Sequence, residues 1–215
     1  MKGKFITFEG VDCAGKTTNV PILAEHLRER GYTVVTTHEP GGSHIGKKVR
    51  DILLHGEKMD AVTELLLFLA ERNEHVKTFI RPNLESGHVV ICDRFHDSTY
   101  AYQGFARGML SHLKNLKDYV SGGLIPDYTL FFNLPFEESA RRLALRSGKQ
   151  DRLDLEVEEF RRKVYDGYQA RFDFVEGSFF GKTNRKIVRI NALPEPLEVQ
   201  QSVMRWANSV FENLN

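Results

Sequence analysis

This 215-residue sequence contains only two cysteines and has almost no net charge. The two cysteines, Cys13 and Cys92, lie far apart and lack the spacing of metal ligands, so neither a disulfide framework nor a zinc site is predicted. The 30 Lys and Arg residues outnumber the 29 Asp and Glu residues by only one. Domains that follow a nucleic-acid backbone usually carry a clear basic excess, so we expect no nucleic-acid partner.

Long apolar runs are missing as well. No segment approaches the roughly 20 apolar residues that a membrane span requires, so we expect no membrane partner. The opening stretch MKGKFITFEG runs into a glycine-rich motif rather than a cleavage site, so no signal peptide is predicted and a cytoplasmic location is expected. The chain is long enough for one sizeable core, and residues 1–215 are predicted to form a single domain.

Short runs rich in Val, Ile and Phe alternate with longer segments of helical periodicity. Strands are predicted at 4–9, 33–37, 88–93, 128–133 and 186–191. Helices are predicted at about 15–30, 46–55, 60–85, 98–120, 136–147, 155–175 and 196–213. This alternation is typical of an α/β fold, in which helices cover both faces of a parallel five-stranded sheet and form a three-layer sandwich.

The clearest motif is GVDCAGKT, which matches G-x-x-x-x-G-K-[ST] between a predicted strand and a predicted helix. Backbone N–H groups and the helix N-terminus can cradle phosphates there, Lys16 adds a full positive charge, and Thr17 can hold Mg²⁺. The motif predicts a fold like that of the P-loop nucleoside triphosphate hydrolases but does not specify the reaction. The predicted ATP-binding residues are Gly10, Val11, Asp12, Cys13, Ala14, Gly15, Lys16, Thr17 and Thr18.

Three further segments concern the phosphate acceptor: EPGG at 39–42, LLLFLAERNEH at 65–75 and DRFHDSTYAYQG at 93–104. With the phosphate loop, they resemble the thymidylate kinase family. The resemblance extends along nearly the whole chain, through DR at 151–152 with a later Glu to FRRKVYDGY at 160–168. It implies a nucleoside monophosphate kinase that transfers the γ-phosphate of ATP to dTMP, with Mg²⁺ as cofactor, giving dTDP and ADP in dTTP synthesis. It also implies a homodimer.

The same resemblance assigns the residues that bind dTMP. In the family, the counterpart of Phe68 stacks on thymine, that of Arg72 bonds its carbonyl edge, and that of Asp12 meets the 3′-hydroxyl. Tyr102 is expected to crowd a 2′-hydroxyl and so to favour deoxyribose. A core position in the apolar run LLLFLA is the alternative for Phe68. The remaining expected contacts are Glu39, Pro40, Arg50, Arg94, Ser98, Thr99 and Gln103.

Asp93 and Arg94 end a predicted strand, where ligands of open α/β sheets bind. The resemblance implies that Arg94 and Arg50 bind the acceptor phosphate. Asp93 is expected near Mg²⁺ together with Thr17. The family usually has Arg before the Glu of EPGG. This chain has His38 there, so one cation is expected to be weaker or absent.

Phosphoryl transfer also needs a cation between the two nucleotides. One branch of the family carries Arg in the phosphate loop at the position of Cys13, and the other carries basic residues in a lid. Cys13 therefore places this chain in the lid branch, with the segment RSGKQDR at 146–152 as the lid. Arg152 is the first candidate, followed by Arg146 and Lys149, although charged runs are often only solvated surface.

Two other functions are compatible with the phosphate loop. A kinase for dUMP, UMP or CMP would share the fold and the lid, and one methyl group distinguishes dTMP from dUMP by only about 1–3 kcal/mol. A nucleotide-dependent switch is the second alternative. The sequence contains no N-K-x-D motif for guanine, and arginines for an acceptor would have no purpose in a switch.

Overall fold

The computed structural model describes residues 3–147, 151–173 and 184–212, without the side chains at positions 114, 115 and 117–119. Its sheet has five parallel strands in the order β2-β3-β1-β4-β5, which confirms the predicted fold class. The predicted strand positions are right to within one residue. The strands are β1 (Lys4–Glu9), β2 (Val34–His38), β3 (Val89–Asp93), β4 (Tyr128–Asn133) and β5 (Lys186–Asn191).

Helices lie between the strands and cover the sheet. They are α1 (Lys16–Glu29), α2 (His44–His55), α3 (Ala61–His75), α4 (Arg81–Glu85), α5 (His96–Thr99), α6 (Leu110–Ser121), α7 (Phe136–Leu145), α8 (Glu158–Asp173) and α9 (Pro196–Val210). π-Helical segments join α3 to α4 at Val76–Ile80 and follow α5 at Tyr100–Ala106.

Two long predicted helices are subdivided in the structure. The predicted helix at 60–85 is helical throughout, but its middle part, between α3 and α4, is a π-helix rather than an α-helix. The predicted helix at 98–120 was wrong as one element, because a break at 107–109 separates the π-helical segment from α6. Gly108 has φ of +75° in that break, a left-handed conformation that ends a helix.

The central strand β1 is buried from Phe5 to Glu9. Its alternating side chains enter two apolar clusters, since Ile6 packs with residues of α1, α8 and α9, whereas Phe5 packs with Val76 and Ile80. Burying both clusters against one sheet fixes the register of its strands. In the described part of the chain, no helix has the length and apolar character that would allow it to cross a membrane.

Candidate active site

A cavity of about 450 Å³ opens at the carboxyl edge of the sheet. It lies beside the segments that follow β1 and β2 and the end of β3, which is where ligands of open α/β sheets bind. The residues in its wall that are predicted to bind ATP are Asp12, Cys13, Gly15, Lys16, Thr17 and Thr18. The residues in its wall that are predicted to bind the phosphate acceptor or Mg²⁺ are Glu39, Pro40, Arg50, Phe68, Arg72, Asp93, Arg94, Ser98, Thr99, Tyr102 and Gln103.

A few predicted residues lie outside this wall. Val11 and Ala14 are buried in the apolar core, and Gly10 lies at the turn that leaves β1. Arg146 lines the cavity, but Arg152 does not. The wall also contains Leu54, Leu153 and Asp154, which the sequence did not indicate, and Asp151, which lies in the predicted lid but was given no role there.

The phosphate loop has a backbone that only certain residues adopt easily. Gly10 has φ of +142°, and a Cβ there would lie 2.6 Å from the carbonyl oxygen of Phe132. Gly15, which precedes α1, has φ of +89°, and Cys13 is left-handed with φ of +60°. Glycine at positions 10 and 15 therefore permits the loop backbone to wrap closely around a bound phosphate.

Lys16 lies at the start of α1 and is buried, with only 5% of its surface exposed. Its Nζ donates to the carbonyl oxygens of Gly10 at 2.9 Å and Val11 at 2.7 Å. Burial, together with the charge of Arg94, lowers the pKa of Lys16 to about 8. Burial thus disfavours the charge of this ammonium, and the oxygens of a polyphosphate would stabilise it.

The two predicted metal ligands meet. Thr17 Oγ1 donates to Asp93 Oδ2 at 2.6 Å, while Asp93 Oδ1 is buried without a hydrogen-bond partner among the described residues. A hydroxyl beside a carboxylate with an unused oxygen fits Mg²⁺, which prefers oxygen ligands and commonly combines one or two protein groups with substrate phosphates. The donor set therefore suits the expected cofactor.

Arg94 lines the cavity beside the phosphate loop. It is left-handed, with φ of +72°, and forms an ion pair with Asp12. Its Nη1 donates to the carbonyl oxygen of Gly10 at 3.1 Å, to Ser98 Oγ at 3.2 Å and to the hydroxyl of Tyr168 at 2.9 Å. The guanidinium is thus fixed directly beside the phosphate loop.

Asp12 projects from the phosphate loop toward the acceptor residues. Burial alone would raise its pKa, but the charges of Arg94 and Lys16 hold the pKa below its usual value. The hydroxyl of Tyr102 donates to Asp12 Oδ2 at 2.7 Å. The carboxylate is therefore ionised at neutral pH and available to a second hydroxyl donor.

Arg50 comes from α2 and donates through Nη1 to the carbonyl oxygen of Pro40 at 2.7 Å. His38, at the end of β2, faces the same region. Burial and the charge of Arg50 lower the pKa of His38, so the imidazole is neutral at neutral pH. This position supplies no cation near neutrality, as expected from the replacement of the usual arginine.

Arg72 is held by a buried network in the wall of the cavity. Its Nε donates to Glu39 Oε2 at 2.7 Å, and its Nη2 donates to the carbonyl oxygen of Phe95 at 3.0 Å. His75 Nδ1 lies 2.9 Å from Glu39 Oε1, and His75 Nε2 lies 2.7 Å from Thr37 Oγ1. Arg72 Nη1 is buried without a partner among the described residues, which leaves a donor for a ligand.

Phe68 both lines the cavity and belongs to a small apolar cluster with Leu53 and Leu54. The core alternative and the ligand-binding prediction are therefore compatible for this residue. Gln103 is also buried, and its Nε2 donates to Glu64 Oε1 at 2.9 Å. Ser98 Oγ donates to Glu9 Oε2 at 2.6 Å, and neighbouring Thr99 is buried in the same wall.

The predicted lid reaches the cavity through Arg146 rather than Arg152. Arg146 forms an ion pair with Asp154. Arg152 is directed elsewhere, since its Nε donates to the carbonyl oxygen of Leu53 at 2.8 Å and its Nη2 lies 2.8 Å from Glu64 Oε2. The middle of the lid, including Lys149, lies outside the described residues.

Glu9 and Tyr168 support the site but were missed in the sequence. The carboxylate of Glu9 accepts from the backbone N–H of Phe95 at 2.7 Å, and burial beside Asp97 raises the pKa of Glu9 to about 7. The hydroxyl of Tyr168 lies 2.7 Å from Ser98 Oγ. Glu9 could have been found from its place at the end of a strand before the phosphate loop. Tyr168 ends the segment FRRKVYDGY, which resembles the family, but nothing in that segment indicated a role for its hydroxyl.

A phosphate loop and several arginines that line one cavity are the features of a P-loop nucleotide kinase, in which a cation is needed between two phosphate groups. The sequence model of thymidylate kinase matches residues 8–202. A protein named thymidylate kinase from Synechococcus sp. (strain JA-2-3B'a(2-13)) is 45% identical over 91% of this chain and 89% of its own. One from Pseudomonas fluorescens (strain Pf-5) is 45% identical over 94% of both chains.

A third protein of that name, from Cupriavidus necator (strain H16), is 48% identical over 80% of this chain and 85% of its own. The family-model match spans the phosphate loop, the acceptor wall and most of the helices. The chain belongs to the thymidylate kinase family.

Proposed function

We propose that this protein transfers the γ-phosphate of ATP to dTMP, giving dTDP and ADP, on the route to dTTP. Family membership supports this reaction. The observation that carries it is that Arg94, which is bonded to Gly10 and Asp12 of the phosphate loop, lines the same cavity as Arg72. Two anionic ligands that bind at these places would meet at this guanidinium.

The phosphate loop would bind the donor. Its backbone N–H groups and the N-terminus of α1 favour the polyphosphate of ATP, and Lys16 would exchange its carbonyl partners for phosphate oxygens. Thr17 and Asp93 would hold Mg²⁺, which neutralises phosphate charge when bound. These groups position the γ-phosphate and stabilise its charge, which is most of the work in phosphoryl transfer.

The acceptor would lie across the cavity from the phosphate loop. Arg94 and Arg50 would bind its phosphate, and Asp12 would accept a hydrogen bond from the 3′-hydroxyl. Phe68 would stack on the base, while the unused Nη1 of Arg72 would donate to a base carbonyl. This arrangement directs an acceptor phosphate oxygen toward the γ-phosphate, which supplies the proximity that a two-substrate reaction needs.

A coupled assay of ADP release tests this function. We expect dTMP to give the highest kcat/KM in a panel with dUMP, UMP, CMP, dCMP, AMP and GMP, and a negligible rate without acceptor. A preference for another monophosphate would retain the kinase and overturn the pocket assignments. Turnover that is independent of any acceptor would instead identify an ATPase or a switch.

The lid arginines have separate expected effects. We predict that Arg146→Ala and Arg152→Ala each lower kcat by at least about tenfold, because a cation near the transferring phosphate lowers the transition-state energy. Arg152 must leave Glu64 to act there, whereas Arg146 already lines the cavity. Steady-state kinetics with saturating ATP and dTMP measures both losses, and Arg162→Ala on the exposed side of α8 is the control. A normal kcat in Arg152→Ala would assign the role to Arg146.

We also propose a cytoplasmic homodimer. The dimer is supported by family membership and by four exposed apolar side chains on two packed helices, Ile45 and Ile52 on α2 and Val62 and Leu66 on α3. The location is supported by two free cysteines, Cys13 and Cys92, as is usual in a reducing compartment. Sedimentation velocity should give about twice the 24.7 kDa chain mass, and a monomer at micromolar concentration would contradict the dimer.

A further inference from the structure

Glu64 lies behind the acceptor pocket and is only 1% exposed. Its Oε1 accepts from Gln103 Nε2 at 2.9 Å and from Arg107 Nε at 3.4 Å. Its Oε2 accepts from Arg107 Nη2 at 3.2 Å and lies 2.8 Å from Arg152 Nη2. Burial would raise the pKa of Glu64, but the bonds from Gln103 and Arg107 hold it below its usual value. The group is therefore a carboxylate that only accepts hydrogen bonds.

This carboxylate determines which end of the Gln103 amide meets a ligand. An amide has an NH₂ end that donates and a carbonyl end that accepts, and its orientation follows from its hydrogen bonds. Because Glu64 can only accept, it requires the NH₂ end of Gln103. The carbonyl Oε1 is thus the end left for a ligand in the cavity that Gln103 lines.

Arg72 supplies the opposite polarity in the same cavity. Its Nε and Nη2 are occupied by Glu39 and by the carbonyl oxygen of Phe95, whereas Nη1 has no partner among the described residues. The pocket therefore offers a donor from Arg72 and an acceptor from Gln103. A uracil-type base presents a carbonyl oxygen next to an N–H, which matches both groups. Cytosine presents an amino group next to an unprotonated ring nitrogen, which matches neither.

We propose that Glu64 is a positioning residue that makes the pocket select uracil-type bases over cytosine by fixing the orientation of the Gln103 amide. The proposal rests on the proposed function, since it concerns the acceptor site of that kinase. Glu64 touches no substrate in this arrangement and acts only through Gln103. The arginines on its other oxygen hold the carboxylate in place.

The substitution Glu64→Gln tests the proposal because it keeps the shape and changes only the polarity. Two arginine groups face the position of Oε2 at 3.2 and 2.8 Å, whereas Oε1 has one longer arginine contact at 3.4 Å. The new carbonyl oxygen should therefore occupy the Oε2 position, and the new NH₂ should face Gln103. Gln103 would then turn its carbonyl toward residue 64 and its NH₂ toward the ligand. Cytosine would gain a partner for its ring nitrogen, and thymine would face two N–H groups.

Equilibrium binding of dTMP and dCMP by titration calorimetry gives the readout. We expect wild-type protein to favour dTMP by roughly a hundredfold or more, and Glu64→Gln to reduce this ratio at least about tenfold. Glu64→Asp keeps an acceptor-only group and should change the ratio by less than about threefold. Glu156→Gln removes a negative charge from the same Arg107 without touching Gln103, and it should leave the ratio unchanged.

A double-mutant cycle separates this effect from general damage. In a Gln103→Met background, Glu64→Gln should alter the ratio by less than about twofold, because the amide through which it acts is gone. A wild-type ratio in Glu64→Gln, or equal losses in Glu64→Gln, Glu64→Asp and Glu156→Gln, would overturn the proposal. If wild-type protein binds dTMP selectively but does not phosphorylate it, only the proposed function fails. If it binds dCMP as well as dTMP, both fail.

Discussion

Lys16→Met should lower kcat by about a hundredfold or more, because it removes the one full positive charge that the phosphate loop brings to the donor phosphates. The side chain is buried and bonded only to backbone carbonyl oxygens of its own loop. Methionine has a similar length and keeps the packing. The measurement is steady-state turnover of ATP and dTMP, and a kcat within tenfold of wild type would contradict the assigned role.

The same residue predicts a pH dependence. The pKa of Lys16 is about 8 in the folded protein, below the value of about 10.4 in an unfolded chain. Between these values the unfolded state binds more protons, so this group makes stability rise with pH there, and its burial costs stability below pH 8. Lys16→Met should therefore melt no lower than wild type at pH 7. ATP affinity of the wild type should fall as the pH rises above about 8, and the variant should lack this fall.

Arg94→Ala should lower kcat/KM for dTMP by about a hundredfold, mainly through a higher KM, because a charge-assisted hydrogen bond to the acceptor phosphate is lost. The KM for ATP should stay within about threefold, since Lys16 and the loop backbone are retained. Initial rates over both substrate concentrations separate the two constants. Arg141→Ala, which removes an exposed arginine paired with Glu138 on α7, is the matched control.

The backbone at this position allows a second version of the experiment. Arg94 has φ of +72°, which strains alanine as much as arginine but is relaxed in glycine. Arg94→Gly should therefore show the same loss of acceptor affinity with less loss of thermal stability. If Arg94→Gly bound dTMP normally, the guanidinium would not be the phosphate ligand, and the loss in Arg94→Ala would be a folding defect.

The parts of the structure that could be predicted are those with local signals. The strands are apolar runs within a few residues, and the phosphate loop is a contiguous motif whose glycines have the positive φ values that the motif requires. The acceptor wall was found because its segments resemble a family, not because their spacing requires a pocket. Periodicity alone predicts one helix at 98–120, but the helix is interrupted at 107–109, where Gly108 is left-handed.

Contacts between distant segments could not be predicted. The lid of this chain was expected from charge and glycine content, but nothing in RSGKQDR indicates that Arg152 pairs with Glu64, which comes from α3. The same is true of Glu9 and Tyr168. These residues are 159 positions apart, yet the hydroxyl of Tyr168 donates to Glu9 Oε2 at 3.3 Å. Partner choice at such positions is decided by the packing of helices, and a single sequence carries little information about it.

The order of the strands has a consequence for how this protein is made. The strand β1 comes first in the chain but pairs with β3 and β4, and the hydroxyls of Thr7 and Thr129, 122 positions apart, meet at 2.8 Å inside the sheet. Pairing of such distant segments costs more loop-closure entropy than pairing of neighbouring segments. During synthesis on the ribosome, the first strand must therefore wait for β3 before it has one neighbour and for β4 before it has both. A nascent chain can contain the complete phosphate-binding motif and still be unable to bind a nucleotide.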